Sequence, residues 1–159
     1  MFPLVTFDSI PLNEANQLLV KWGHKMGPIN RPMGIAQAHG LIYDQQLVAV
    51  VISADLVSPT VGGASFLNRD NAIELARVCA REKDWNRVAL RLWRLAVFPG
   101  FKKNYAVSYQ DAKLHTGDLY RFDGWTKCGY SHSGTDRRSG RKGRDKFIWV
   151  WPNPITTNN

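Results

Sequence analysis

Cysteine is scarce in this chain of 159 residues: there are two, Cys79 and Cys128, and neither sits in a C-x-x-C pair or at a Cys/His ligand spacing. That argues against a disulfide framework or a zinc ribbon, and both thiols are expected to be reduced and structural. No apolar run approaches the roughly 18 residues of a membrane span. The N-terminus MFPLVTFDSI is too short and acid-containing for a secretory signal, so a cytoplasmic protein with no membrane contact is expected. No internal repeat or low-complexity tract appears. Acidic residues are also few, 13 against 21 Lys and Arg, leaving a formal charge of +8. What is present is 44% hydrophobic residues in a chain of single-domain length, so one domain over 1–159 with a real core is expected.

Half of the net charge falls in one segment. Between Ser131 and Lys146 lie Arg137, Arg138, Arg141, Lys142, Arg144 and Lys146, against Asp136 and Asp145, interleaved with Gly134, Gly140 and Gly143. Glycines let a backbone approach a phosphate chain closely, and arginines fork onto its oxygens. This loop is therefore expected to bind nucleic acid, with Arg137, Arg138, Arg141, Lys142 and Arg144 as its contacts. A solvated loop that aids solubility is the simpler reading of the same charges.

Periodicity sets out the elements. Residues 3–7 suit a short strand, and Ser9 with Pro11 marks a helix running through Trp22, its buried face made by Leu12, Ala15, Leu18, Leu19 and Trp22. Residues 41–43 and 46–54 flank Asp44-Gln45 as a hairpin, the second strand largely buried because LVAVVIS barely alternates. Ala72 to Ala80 fits helix or strand. If it is a strand, Glu74 and Arg77, an odd number of residues apart, point to opposite faces. Residues 85–98 form a helix with Ala89, Leu92, Trp93 and Ala96 on one face and Arg87, Arg91 and Arg94 on another. The last strand is Phe147 to Trp151, and the tail 155–159 is expected to fray.

Residues 104–130, NYAVSYQDAKLHTGDLYRFDGWTKCGY, pack the most information into the least chain. A strand alternating through Tyr105, Val107 and Tyr109 ends at Gln110-Asp111. Thr116 then offers a helix N-cap, Leu119, Tyr120 and Phe122 supply apolar contacts, Gly124 stops the helix, and a second strand follows. Sites in α/β folds sit at such strand-loop-helix junctions; a plain connection is the alternative.

The order of elements resembles the Gcn5-related N-acetyltransferase fold, whose fourth strand corresponds to 72–80; strand is adopted there on that ground. It implies a mixed, mostly antiparallel central sheet with helices on both faces, an α+β or α/β arrangement. A closer resemblance is to the phage and prophage Mom-type DNA modification proteins, a divergent branch of that fold. It is carried by ELARVC at 74–79, Asn86, SYQD at 108–111 and HTGDLYRFDGWTKCGY at 115–130, and it covers about residues 36–151. It implies an enzyme that replaces an N6 hydrogen of adenine in DNA with a carbamoylmethyl group and so blinds restriction enzymes. An acyl-CoA-dependent N-acetyltransferase acting on an amine of a small molecule or modified base is the enzymatic alternative. A DNA-binding protein without catalysis is the other.

The cofactor stays open. Acetyl-CoA is the donor of ordinary members of the fold, which offer a glycine-rich turn to its pyrophosphate. Here that turn reads Arg81-Glu82-Lys83-Asp84-Trp85, with no glycine and two carboxylates. No metal site is expected, because His24, His39, His115 and His132 are scattered; one would have to assemble from His39, His115 and Asp111.

Modifying an exocyclic amine requires a group that accepts its proton. Asp111 is the candidate acceptor, with capping of its own turn as the plainer role. Tyr120, on the short helix, resembles the general acid of many acetyltransferases, and Ser108 is a supporting catalytic candidate. Arg77, with Asn86 and His39, is expected to bind substrate, Arg77 through an anionic or carbonyl group. Trp85, Tyr109 or Trp125 could stack on an extruded base.

Overall fold

The computed structural model describes residues 3–31, 34–135, 137, 140 and 142–153. The chain opens with strand β1 (Val5–Ile10) and helix α1 (Leu12–Lys21), then strands β2 (Ala36–Tyr43), β3 (Gln46–Ala54) and β4 (Ala72–Ala80). Helix α2 (Trp85–Leu92) continues through a π-helical turn (Trp93–Val97) and a 3-10 turn (Phe98–Phe101). Strand β5 (Tyr105–Asp111), helix α3 (Asp118–Asp123) and strands β6 (Thr126–Ser131) and β7 (Lys146–Pro152) follow. Ser9 belongs to β1, and Pro11 rather than a serine occupies the cap position of α1. Asp44 and Gln45 both have positive φ, 48° and 66°, which matches the twist a two-residue hairpin needs.

One seven-stranded sheet runs in the order β1-β2-β3-β4-β5-β7-β6. Every pairing is antiparallel except β4 with β5. Helix α1 seals one face, where Ala15 and Leu19 meet Ala38, Val50, Ile52 and Ala54. On the opposite face α2, its π-turn and the 3-10 turn set Ala89, Leu90, Trp93 and Phe98 against Leu41, Val51, Ile73 and Ala106. The stretch between β3 and β4 covers what α1 does not reach, seating Leu56, Val61, Ala64 and Leu67 on Val107, Ile148 and Val150. The mostly antiparallel sheet with helices on both faces is thus the arrangement expected from the sequence.

Two local departures matter for the site. The strand β4 bulges: Ser53 pairs with Leu75 but Ile52 pairs with Arg77, so Ala76 is an extra residue. The bulge resets the alternation, and Glu74 and Arg77 share the α1 face instead of pointing apart, which corrects the strict period-2 expectation. The π-turn likewise shifts the helical phase by a residue, turning Phe98 into the core and leaving Ala96 exposed. Arg94 also leaves the expected exposed stripe of Arg87 and Arg91. It forms a fork on Asp123, at 2.9 and 3.1 Å, with side-chain exposures of only 12% and 8%.

Candidate active site

Strands β4 and β5 pair only from Ala72 to Glu74 against Tyr105 to Val107, and then they diverge. The wedge between them is a cavity of about 620 Å³, lined by Arg77, Asn86, Ser108, Asp111, Tyr120 and Arg144 among others. Six residues nominated from sequence alone therefore meet in one place. His39, the third residue expected to bind substrate, does not line it: it lies on β2, stacked on Phe7 at 5.8 Å, with a buried Nδ1 that has no partner. Burial lowers its pKa, as expected of a neutral histidine in a half-apolar setting.

The hydroxyls of Ser108 and Tyr120 are 2.7 Å apart, and Ser108 Oγ is also 3.1 Å from the Leu75 carbonyl. A carbonyl can only accept, so the serine proton goes to Leu75 and the tyrosine proton to Ser108 Oγ. The Leu75 carbonyl is available because β4 has already parted from β5 there. Burial pushes the Tyr120 phenol above its ordinary value, so it keeps its proton at neutral pH. Trp149 stacks on its ring at 5.8 Å and Trp125 meets it edge-on at 5.5 Å. Trp125, only 5% exposed and donating to Asp123, has no free face for a base. Trp85 packs on Tyr43 at 5.0 Å, outside the cavity, whereas Tyr109 lines it.

Asp111 divides its two oxygens. Oδ1 accepts the backbone N–H groups of Lys113 and Leu114, at 2.9 and 3.0 Å, and so caps the turn. Oδ2 faces Arg144 Nη1 at 3.5 Å. Burial raises the carboxyl, but the two N–H donors, Arg144 and His115 outweigh it and leave the pKa below the ordinary value. The turn leading to α3 is then fixed by Gln110, which accepts from Trp149 Nε1 at 2.8 Å and donates to the His115 carbonyl. The cap of α3 is Gly117, with φ 79°; Thr116 Oγ1 is only a distant acceptor for Asp118 N–H at 3.4 Å.

Sequence reasoning missed the other wall. Arg77 is 8% exposed and donates Nε to the Gly27 carbonyl at 3.0 Å and Nη1 to the Ala76 carbonyl at 2.8 Å. Arg31 bridges the Asp55 carbonyl and Glu74, both within 2.8 Å. These bonds, with Asn16 bound to both main-chain groups of Ile29, strap residues 23–31 over the α1 side of the wedge. The strap brings His24, Lys25 and Met26 into the lining. Burial, then Arg77 and His115, lowers the His24 pKa to about 4. Nothing in a loop rich in proline and glycine signals such long-range bonds.

The basic loop meets the wedge through Arg144. Asp145 pins its base, accepting from Ser133 N–H, Ser133 Oγ and Tyr130 OH at 3.0, 3.1 and 3.0 Å. Arg137, Lys142 and Arg144 are exposed, and Arg144 reaches the cavity. Arg138 and Arg141 lie outside the described residues, as does the tail beyond 153.

No protein-family model matches the chain, and no curated protein sequence does. Solved structures do. The ribosomal-protein-S18-alanine N-acetyltransferase of Escherichia coli superposes with TM-score 0.64 at 12% identity, over 98% of each chain. The ribosomal-protein-S5-alanine acetyltransferase of Vibrio fischeri gives 0.64 at 9% identity, over 97% of this chain and 96% of its own. A chimera of the Vibrio cholerae spermidine N-acetyltransferase gives 0.62 at 9%, over 98% and 99%. The chain has the Gcn5-related N-acetyltransferase fold.

That fold implies coenzyme A, and the turn between β4 and α2 tests the fit. Three of its amides are spent internally: Arg81 N–H on Val48, Trp85 N–H on Glu82 and Asn86 N–H on Lys83, all at 2.9 to 3.2 Å. The Arg81 guanidinium is held by Glu82 at 2.7 Å and Gln46 at 2.9 Å. Asn86 lines the cavity and buries an unpartnered Oδ1, an acceptor where a pyrophosphate needs donors. With the carboxylates of Glu82 and Asp84 beside them, these residues do not make a pyrophosphate cradle. Among the described residues no group of His, Cys, Asp and Glu side chains suits a metal ion, and no helix is long and apolar enough to cross a membrane.

Proposed function

We propose that the protein is a group transferase acting on an amine, and that the amine is N6 of adenine in DNA, modified in the Mom manner to the carbamoylmethyl form. The observation that carries this reading is contiguity: the arginine-rich loop supplies Arg144 to the same wedge that holds Ser108, Tyr120 and Asp111. A polyanion held by Arg137, Lys142 and Arg144 would lie at the mouth of that wedge. Around it Lys25, Arg77, Arg81 and Lys83 outnumber Asp111 and Asp118, which favours an anionic ligand.

In this reading Asp111 Oδ2 accepts the hydrogen bond of the N6 amine and takes its proton as the new bond forms, while Oδ1 holds the turn. Tyr120, kept protonated by burial, would turn its one hydroxyl proton from Ser108 Oγ to the donor's leaving group as the bond between that group and the transferred carbon breaks. Arg77 fixes a carbonyl or anionic part of the donor, and Asn86 orients it. Adenine in duplex DNA would have to leave the stack to reach these atoms, and Tyr109 is the aromatic available to receive it.

Nucleoside mass spectrometry on plasmid DNA from cells expressing the protein should reveal a deoxyadenosine of higher mass, and Tyr120→Phe should remove it. Unmodified DNA from cells that supply the donor would refute the reading. One observation favours a second reading, acyl-CoA-dependent acetylation of an amine: the solved structures of similar fold are described as acetyltransferases of protein alanine and of spermidine. Saturable binding of acetyl-CoA in a calorimeter would favour it; its absence fits the turn at 81–86.

A further inference from the structure

The Asp111–Arg144 contact joins two parts of the molecule that are expected to do different things, proton transfer in the wedge and phosphate binding on the loop. Its geometry is lopsided. Asp111 is pinned from below by Lys113 and Leu114, and its side chain is 10% exposed; the arginine side chain is 55% exposed. At 3.5 Å the contact is long for a hydrogen bond, and a half-exposed pair of this kind is worth about 1 kcal/mol or less. Most of the guanidinium fork is therefore unspent. A phosphate diester offers it a bidentate, fully charged partner, which is the stronger match.

We propose that Arg144 is a ligand-released restraint on Asp111: a polyanion bound on the 131–146 loop draws the guanidinium away from Oδ2 and leaves that oxygen free in the wedge. Arg144 then acts as a positioning residue, keeping the proton acceptor weak in the free protein and releasing it once the loop is occupied. The other groups facing Asp111 stay in place. They are His115 on the turn before α3, the N–H groups of Lys113 and Leu114, and Lys146, its cross-strand partner on β7. Removal of one cation from this set, with negative charge arriving nearby, makes Oδ2 more basic when the acceptor amine is at hand. That the polyanion is DNA rests on the function proposed above; the restraint itself does not.

The test is a carboxyl-carbon NMR titration of Asp111 in the full chain, free, with a short DNA duplex, and with inorganic polyphosphate. In the wild-type protein either polyanion should raise the midpoint by about half a pH unit or more. Arg144→Gln should show the raised midpoint already in the free protein and respond less to both. Arg137→Gln, which removes a loop charge that neither pairs with Asp111 nor lines the wedge, should keep the wild-type midpoint when free. The inference is overturned if Arg144→Gln leaves the free midpoint unchanged, if polyphosphate moves wild type and Arg144→Gln equally, or if neither polyanion moves the wild type. A response to polyphosphate without one to DNA would sink the DNA reading and leave the restraint standing.

Discussion

At the scale of the single residue, Asp111 has one observed duty, capping its turn, and one proposed duty, accepting a proton, and substitution can split them. Asparagine keeps an acceptor for the N–H groups of Lys113 and Leu114 but cannot take a proton. Asp111→Asn is therefore expected to abolish modification with little change in urea stability, while Asp111→Ala should also cost about 1 kcal/mol of folding free energy. His24 makes a pH statement. Its folded pKa of about 4 lies below the ordinary 6.5, so the unfolded chain binds the proton more readily between those values. Stability should consequently fall as pH drops from 6.5 toward 4, and thermal melting of His24→Gln should lose less over that range than wild type. Of these residues, Asp111 stood out because it ends an alternating strand, and Tyr120 because the short helix resembles one that carries the general acid of many acetyltransferases; their roles are proposals. His24 did not stand out, since its pKa depends first on burial and then on Arg77 and His115, which only the strap and the turn bring to it.

Elements carry the next set of consequences, because α3 is too short to hold itself. Gly117 caps it with φ 79°, and a Cβ there would overlap Gln110 and Trp149 as well. Gly117→Ala should destabilise the protein by about 2 kcal/mol and impair modification together, through displacement of Tyr120. At the other end of α3, Asp123 holds Arg94 and the Trp125 indole N–H, and Arg94 lies 3.9 Å over the Trp151 ring. Asp123→Ala strands a buried guanidinium and should cost about 3 kcal/mol in denaturant unfolding, far more than loss of an exposed pair. Most strand and helix runs were readable from hydrophobic spacing, but 72–80 fitted helix or strand and was assigned as a strand only through the resemblance. The bulge at Ala76 and the π-turn at 93–97 were not, since each inserts one residue that the sequence pattern does not mark, and each reassigns faces downstream. That is why the pairing of Glu74 with the strap was unreadable, and why Arg94 looked solvent-facing.

Across the whole molecule, the charge of +8 and its concentration in one loop set the ionic response. If Arg137 and Lys142 each neutralise a phosphate, replacing both with glutamine should reduce the slope of log affinity against log salt by about 2. Fluorescence anisotropy with a DNA duplex at several salt concentrations measures this, and an unchanged slope would mean the loop serves only solubility. The fold class was legible because the order of strands and helices is constrained by chain connectivity. The wedge was not, because it arises from how few residues of β4 and β5 pair.

That short pairing also makes a seam. Strands β1 to β4 form one antiparallel meander from residue 5 to 80, and β5, β7 and β6 form a second ladder from 105 to 152, each complete in its own hydrogen bonds. In strand pairing, Ala72–Glu74 against Tyr105–Val107 is the short stitch between the two ladders. Amide exchange should therefore be faster at this stitch than in the middle of either ladder, with β2–β3 the slowest, as expected when cooperative units meet along a narrow boundary. The opening proposed to admit a substrate would then be, in mechanical terms, the weakest line across the sheet.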